Sequence, residues 1–96
     1  MKPYRVSTTA RADLDDFWFY IAQDDAEAAD KFIRTILVRF PKLASMPQLG
    51  RRRQELSPRL RSFPGGRYVL FYRDLGNELE ITQVLHGMRD FPPLFE

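Results

Sequence analysis

The sequence predicts an α+β domain in which a helical hairpin precedes an antiparallel β-meander. Two observations predict it. Apolar residues recur at three- and four-residue spacing from Ala10 to Ala44, the period of one helix face. From Arg59 onward the pattern becomes that of strands, clearest at Arg67-Tyr68-Val69-Leu70-Phe71-Tyr72-Arg73, which is rich in aromatic and β-branched residues. Met46-Pro47-Gln48-Leu49-Gly50 separates the two regimes, with a proline and a glycine that stop a helix. At 96 residues the chain has room for one core, so residues 1–96 are expected to form a single domain.

The elements follow in order. Tyr4-Arg5-Val6 is a short extended start, and Ser7, Thr8 and Thr9 are helix-capping residues. A first helix is expected over Ala10–Ala22, with Ala10, Leu14, Phe17, Trp18 and Ile21 on its stripe. Asp13, Asp15 and Asp16 are expected early in it, where the helix dipole favours anions. Asp24-Asp25 breaks the chain. A second helix starts near Ala26 and buries Ala29, Phe32, Ile33, Ile36, Leu37 and Phe40. Pro41 should interrupt its hydrogen-bond ladder near Leu37, with one further turn carrying Leu43 and Ala44. Arg51 to Glu55 reads as a charged connector, Arg59–Phe63 as a short strand and Pro64-Gly65-Gly66 as a turn, not a phosphate loop. Asp74-Leu75-Gly76-Asn77 should close a hairpin between the strand ending at Arg73 and one running from Glu78 to His86.

Closing that hairpin at Arg73 and Glu78 places Tyr68, Leu70, Tyr72, Leu79 and Ile81 on one face, to be covered by the helices. The other face reads Arg67, Val69, Phe71, Arg73, Glu78, Glu80 and Thr82. His86 falls on this second face near Arg67 unless a bulge intervenes around Gln83-Val84-Leu85, where alternation weakens.

Composition excludes several classes of function. The 44% hydrophobic and 29% charged content is that of a globular chain. Absence of cysteine excludes disulfides and thiolate metal sites, and a single histidine excludes a multi-histidine metal centre. No cofactor or metal is implied. Without a membrane-length apolar run or a signal-like N-terminus, a cytoplasmic domain is expected. Net charge is +2, yet residues 13–30 hold seven acids and no Lys or Arg, whereas residues 51–73 hold seven arginines and one acid, Glu55. Either the molecule has two differently charged faces, or the two segments neutralise each other across the fold.

A resemblance adds to this reading. Ala12-Asp13-Leu14, Phe17-Trp18 and Tyr20-Ile21-Ala22 resemble the first helix of the ParE branch of the RelE/ParE toxin superfamily. Ala28-Ala29-Asp30 and Phe32 resemble its second helix, and Leu43, Pro47 and Gly50-Arg51 its helix exit. Leu60-Arg61-Ser62-Phe63-Pro64 followed by Gly66 to Arg73, and the closing Val84-Leu85-His86-Gly87-Met88-Arg89-Asp90, complete the match. The resemblance implies a RelE-like β-α-α-β-β-β fold with an antiparallel sheet packed on a helical hairpin. It implies the toxin of a type II toxin–antitoxin system, neutralised in a hetero-oligomer by a ParD-like ribbon-helix-helix antitoxin. The usual ParE target is DNA gyrase, inhibited through protein contact without enzymatic chemistry. The alternative in the RelE branch is a ribosome-dependent mRNA endoribonuclease, and a weaker third is a degenerate member that only binds its antitoxin. Phe19 departs from the family's usual polar residue, and Pro92-Pro93 falls where relatives have a short helical turn.

Candidate residues follow from both readings. A ribonuclease needs a general base and phosphate-binding cations, roles that fall to His86 with Arg61, Arg67 and Arg89. One histidine without a recognisable acid partner is better read as a structural strand-end residue. Arg51, Arg52, Arg53, Arg59 and Arg61 are candidates for partner contact, because three consecutive arginines cannot share one face of a regular element. Sequence-specific nucleic-acid binding is disfavoured by the near-balanced charge and by aromatics committed to the core. On the helical wheel Phe19 points away from the first helix's stripe and is expected to meet a partner, a second copy or the antitoxin. Tyr68 and Tyr72 are expected to pack in the core with their hydroxyls reaching its edge.

Overall fold

The computed structural model describes residues 2–86. The elements are β1 (Tyr4–Val6), α1 (Thr8–Ala22), α2 (Ala26–Leu37), α3 (Arg39–Ser45), a 3-10 turn at Pro47–Leu49, β2 (Arg51–Arg52), β3 (Leu60–Pro64), β4 (Tyr68–Asp74) and β5 (Leu79–His86). The five strands form one sheet in the order β1-β5-β4-β3-β2. Strands β2 to β5 make the expected antiparallel meander, while β1 pairs parallel to β5, so the sheet is mixed. A parallel pair requires a long crossover, and the helices between β1 and the meander provide it. The connector expected at residues 51–55 contributes β2, an edge strand paired with Ser62 and Arg61.

Helix α1 starts at Thr8, two residues before the apolar period does, because Ser7 caps it. The Ser7 hydroxyl accepts from the Ala10 N–H at 3.0 Å and donates to the Thr82 carbonyl at 2.9 Å. The earlier start removes Asp13, Asp15 and Asp16 from the first turn, so the expected dipole role does not apply. Asp13 instead accepts from the Val84 backbone N–H at 2.9 Å. The reason lies in the length of β1. That strand covers β5 only from Leu79 to Ile81, and beyond it no strand among the described residues lies along the outer edge of β5. Ser7 and Asp13 of α1 satisfy the exposed ladder groups there. Asp13→Ala removes the acceptor of a strand N–H and is expected to cost about 1–3 kcal/mol, measured by urea denaturation.

The β4–β5 hairpin closes at Asp74 and Leu79, one residue further along each arm than the pairing expected at Arg73 and Glu78. Asp74 accepts from the Gly76 N–H at 3.0 Å, and the Leu75 N–H donates to Glu78 at 2.9 Å, which tightens the loop. Gly76 has φ +93°, a conformation glycine adopts without penalty. The shift preserves both faces, since it changes the pairing by two. The bulge falls at Thr82: Tyr72 faces Ile81, Phe71 faces Gln83, and the Thr82 hydroxyl donates to the Phe71 carbonyl at 3.0 Å. Val84 therefore joins the helix-side face, and His86 takes the backbone position opposite Tyr68 rather than one beside Arg67.

The core joins Ala10, Ile36, Phe40, Leu43, Tyr68, Leu70, Tyr72, Leu79, Ile81 and Val84. It contains every residue expected on the helix-facing side of the hairpin. Phe17, Phe32 and Tyr68 line up through edge and tilted contacts at 5.7 and 5.8 Å between ring centres. The break before Pro41 falls at Val38. Pro41 becomes the third residue of α3, where a missing N–H leaves no helix bond unmade. A smaller cluster of Leu60, Phe71 and Leu85 occupies the opposite face, with Leu56 and Val69 against it.

Two side-chain devices hold β4 to the helix exit and to α2. The buried Tyr72 hydroxyl donates to the Pro47 carbonyl at 2.6 Å and accepts from the Gly50 N–H at 2.7 Å. The Tyr68 hydroxyl donates to the Thr35 carbonyl at 3.2 Å.

Candidate protein-binding interface

Helix α1 packs on α2 and β5, while the arginine-rich segment lies at the other end of the sheet, so the structure places the candidate residues on two separate surfaces. On the first, Phe19 is 65% exposed and Tyr20 76% exposed. Trp18 beneath them donates from its indole N–H to Asp30 at 2.8 Å, tying α1 to α2, and its ring meets Phe19 edge-on at 5.4 Å. Asp15, Asp16 and Asp24 are exposed on the same helical hairpin.

On the second surface the five arginines divide by their surroundings. Arg53 is half-buried, with Nε donating to Glu55 at 2.6 Å and a guanidinium contact to the Ser62 hydroxyl at 3.3 Å. That hydrogen bond from Arg53 holds the Glu55 carboxyl below its ordinary pKa. Arg61 is also half-buried and donates to the Gly50 carbonyl at 2.8 Å, so it braces the helix exit that Tyr72 grips. Charge reversal at Arg61 would therefore disturb the fold, which the sequence alone did not indicate. Arg51, Arg52 and Arg59 are exposed, and no carboxylate pairs with them among the described residues. Arg59 lies in the turn before β3 rather than in the strand, with φ +62°.

The remaining charges form a ladder across β1, β5 and β4. Arg5 contacts Glu78 at 3.1 Å and Glu80 at 3.2 Å, and Arg73 contacts Glu80 at 3.2 Å. Lys2 bonds Asp74 at 2.5 Å and thereby keeps its carboxyl below the usual pKa. Among the described residues no ion pair links Asp15, Asp16, Asp24, Asp25, Glu27 or Asp30 to the arginines of 51–73. Of the two electrostatic readings, the structure therefore supports two differently charged faces.

The ribonuclease set is dispersed where it is described. Arg61 faces Tyr72 near the end of β4, whereas Arg67 precedes its first residue, Tyr68, and is exposed. Only the backbone of His86 is described, and Arg89, Asp90 and Pro92-Pro93 lie outside the described residues. Among the described residues no three His, Cys, Asp or Glu side chains form a metal-binding group, and no helix is long and apolar enough to cross a membrane. Sequence reasoning missed the Tyr72–Gly50 and Asp13–Val84 contacts. Each joins residues far apart in the chain, and no local pattern announces them.

A helical hairpin on a mixed sheet, with an aromatic-acidic helix at one side and a basic edge strand at the other, defines the class, a small α+β domain. Its relatives name the kind. Residues 4–91 match the family model described as ParE toxin of type II toxin–antitoxin system, parDE. The chain is 39% identical over 87 residues to Toxin ParE1 of Caulobacter vibrioides, covering 90% of each. Its fold is similar to a solved structure titled "Chromosomal ParDE TA system from P. aeruginosa", with TM-score 0.74, 22% identity, and coverage of 90% of this chain and 96% of that one. The chain belongs to the ParE toxin family.

Proposed function

We propose that this ParE-type toxin inhibits DNA gyrase by protein–protein contact and is neutralised by a ParD-like ribbon-helix-helix antitoxin. The match to the ParE family over residues 4–91 carries this reading. The surroundings of the arginines support it. Arg61 donates to the Gly50 carbonyl and Arg53 pairs with Glu55, so both guanidinium groups are drawn into bracing the fold. The exposed Arg51, Arg52 and Arg59 supply contact to an acidic protein surface, and Phe19 supplies an apolar contact to the antitoxin.

The test is induction of the chain alone and together with the neighbouring reading frame. Growth arrest with a DNA-damage response, relieved by the neighbouring protein, supports the reading. Growth arrest with mRNA cleavage and no DNA-damage response overturns it in favour of the RelE-type activity.

A further inference from the structure

We propose that the outer face of the α1–α2 hairpin is self-complementary, and that two copies of the free chain pair through it about a two-fold axis running along the hairpin. The pairing concerns the chain alone and does not depend on which target it reaches.

Two contacts fix heights along the hairpin. The Phe17 and Phe32 rings meet at 5.7 Å, and the Trp18 indole N–H donates to Asp30 at 2.8 Å. Because the two helices run antiparallel, Asp15 and Asp16 on α1 stand level with the turn of α2 between Lys31 and Arg34. All four residues are exposed, on the side of the hairpin opposite the stripes that pack on the sheet. Among the described residues no ion pair joins them. The hairpin thus carries an acidic ridge beside a basic ridge, and neither neutralises the other.

A half-turn about an axis parallel to the helices lays α1 of one copy on α2 of the other at unchanged height. Asp15 and Asp16 then face Lys31 and Arg34 of the second copy, twice over, as an isologous interface requires. An axis at right angles to the helices would lay α1 on α1 and bring Asp15 and Asp16 toward their own counterparts, so charge selects the parallel axis. A nucleic acid or an anionic membrane fits this face poorly, because the same two carboxylates stand beside the cations.

Exposed apolar groups flank the charges at both ends. Phe19, 65% exposed, lies one turn nearer the hairpin loop, and Leu37 and Val38, 43% and 64% exposed, follow Arg34 at the far end. The stems of Lys31 and Arg34 can lie along such groups while their charges reach the acids. Phe19 is the ring assigned above to the antitoxin, so antitoxin and second copy use one ridge, and pairing belongs to the chain before neutralisation.

The expected strength follows from size. Helix α1 has 15 residues and is about 22 Å long. With the helices about 8–10 Å apart, the face is about 20 Å on each side. A contact of that size buries on the order of 1,000 Å² in total, the lower limit for a specific interface. Asp24 and Asp25 at the loop approach their counterparts in this arrangement and weaken it further. The pair is therefore micromolar, and salt screens it.

Sedimentation equilibrium of the purified full chain, from about 2 to about 200 µM, tests this in low and in high salt. The expected result is a reversible monomer–dimer equilibrium with Kd on the order of 10–100 µM in low salt, severalfold weaker in high salt. Asp16→Lys and Arg34→Glu should each weaken pairing by about tenfold or more, since each change enters the interface twice. Mixed in equal amounts, the two variants should pair with each other within about threefold of the wild-type affinity, because each reversed charge then meets its complement. The doubly reversed chain Asp16→Lys/Arg34→Glu should pair with itself equally well. Arg67→Glu, at an exposed position outside the hairpin, should change the affinity by no more than about twofold.

A monomer at every concentration overturns the proposal. So does a dimer that Arg67→Glu weakens as much as Arg34→Glu does, or failure of both the mixture and the doubly reversed chain to pair.

Discussion

Gly50→Ala is expected to lower the melting temperature by on the order of 10–20 °C. Gly50 ends the 3-10 turn after α3, and a Cβ there would stand 2.7 and 2.8 Å from two Tyr72 ring carbons and closer still to the hydroxyl. Tyr72 cannot retreat, because it is fully buried and its hydroxyl is held by Pro47 and Gly50 together. The substitution therefore forces either the ring out of place or the helix exit away from β4, and both outcomes break buried hydrogen bonds. Overpacking and unsatisfied groups of this kind cost about 2–3 kcal/mol together. In a domain of this size each kcal/mol corresponds to about 4–8 °C. Tyr72→Phe is expected to destabilise by about 1–3 kcal/mol, since the Pro47 carbonyl and Gly50 N–H lose their partner.

The two changes should not add. Once the hydroxyl is gone, the nearest obstacle to an alanine at position 50 is gone too, and the double variant should be more stable than the sum of the two losses. Burial pushes the Tyr72 phenol above its ordinary pKa. Its contribution is fully present below the unfolded-state value near 10 and is lost as pH rises through the folded-state value. Alkaline unfolding should be less steep in Tyr72→Phe than in the wild type, as read by circular dichroism across an alkaline titration.

Phe19→Ala should leave the fold nearly unchanged and weaken the antitoxin complex by roughly thirtyfold or more, the effect of an interface residue worth at least about 2 kcal/mol. The ring is 65% exposed and contacts Trp18 at its edge, outside the main core cluster. Removing it uncovers little of the protein's own surface, so thermal melting should move by no more than a few degrees. Titration calorimetry with the co-purified antitoxin, after separation and refolding of the partners, measures the affinity. A drop in melting temperature at unchanged affinity would make Phe19 a structural residue.

Much of the fold was legible in the chain because it rests on local periodicity. The stripe of α2, the break before Pro41 and the alternation at Tyr68, Leu70 and Tyr72 each follow from spacing within a few residues. What the chain did not disclose depends on partners distant in sequence. The parallel docking of β1 requires knowing that the helices return the chain beside β5. The bulge was legible in the weakened alternation around Gln83-Val84-Leu85, but not its place at Thr82, on the outer edge of β5 that β1 leaves uncovered, where Ser7 and Asp13 reach across about 70 residues of sequence. The hairpin pairing moved by one residue on each arm because Asp74 folds back on Gly76, a contact that competes with strand pairing.

The candidate site was legible by composition more than by geometry. The excess of arginine in 51–73 marked the right segment, but spacing did not separate the bracing Arg53 and Arg61 from the unpaired Arg51, Arg52 and Arg59. That distinction required the Gly50 carbonyl and Glu55 to be in place. The +62° φ of Arg59 had a signal only in retrospect, a Pro-Arg pair at the centre of a turn.

The proposed action of this ParE family toxin on gyrase by contact can be read by adding the purified chain to purified gyrase and plasmid DNA. Supercoiling should be lost in a concentration-dependent manner with accumulation of cleaved DNA, and equimolar antitoxin should abolish both effects. Undiminished supercoiling at saturating toxin, together with cleavage of ribosome-bound mRNA by the same preparation, would contradict it.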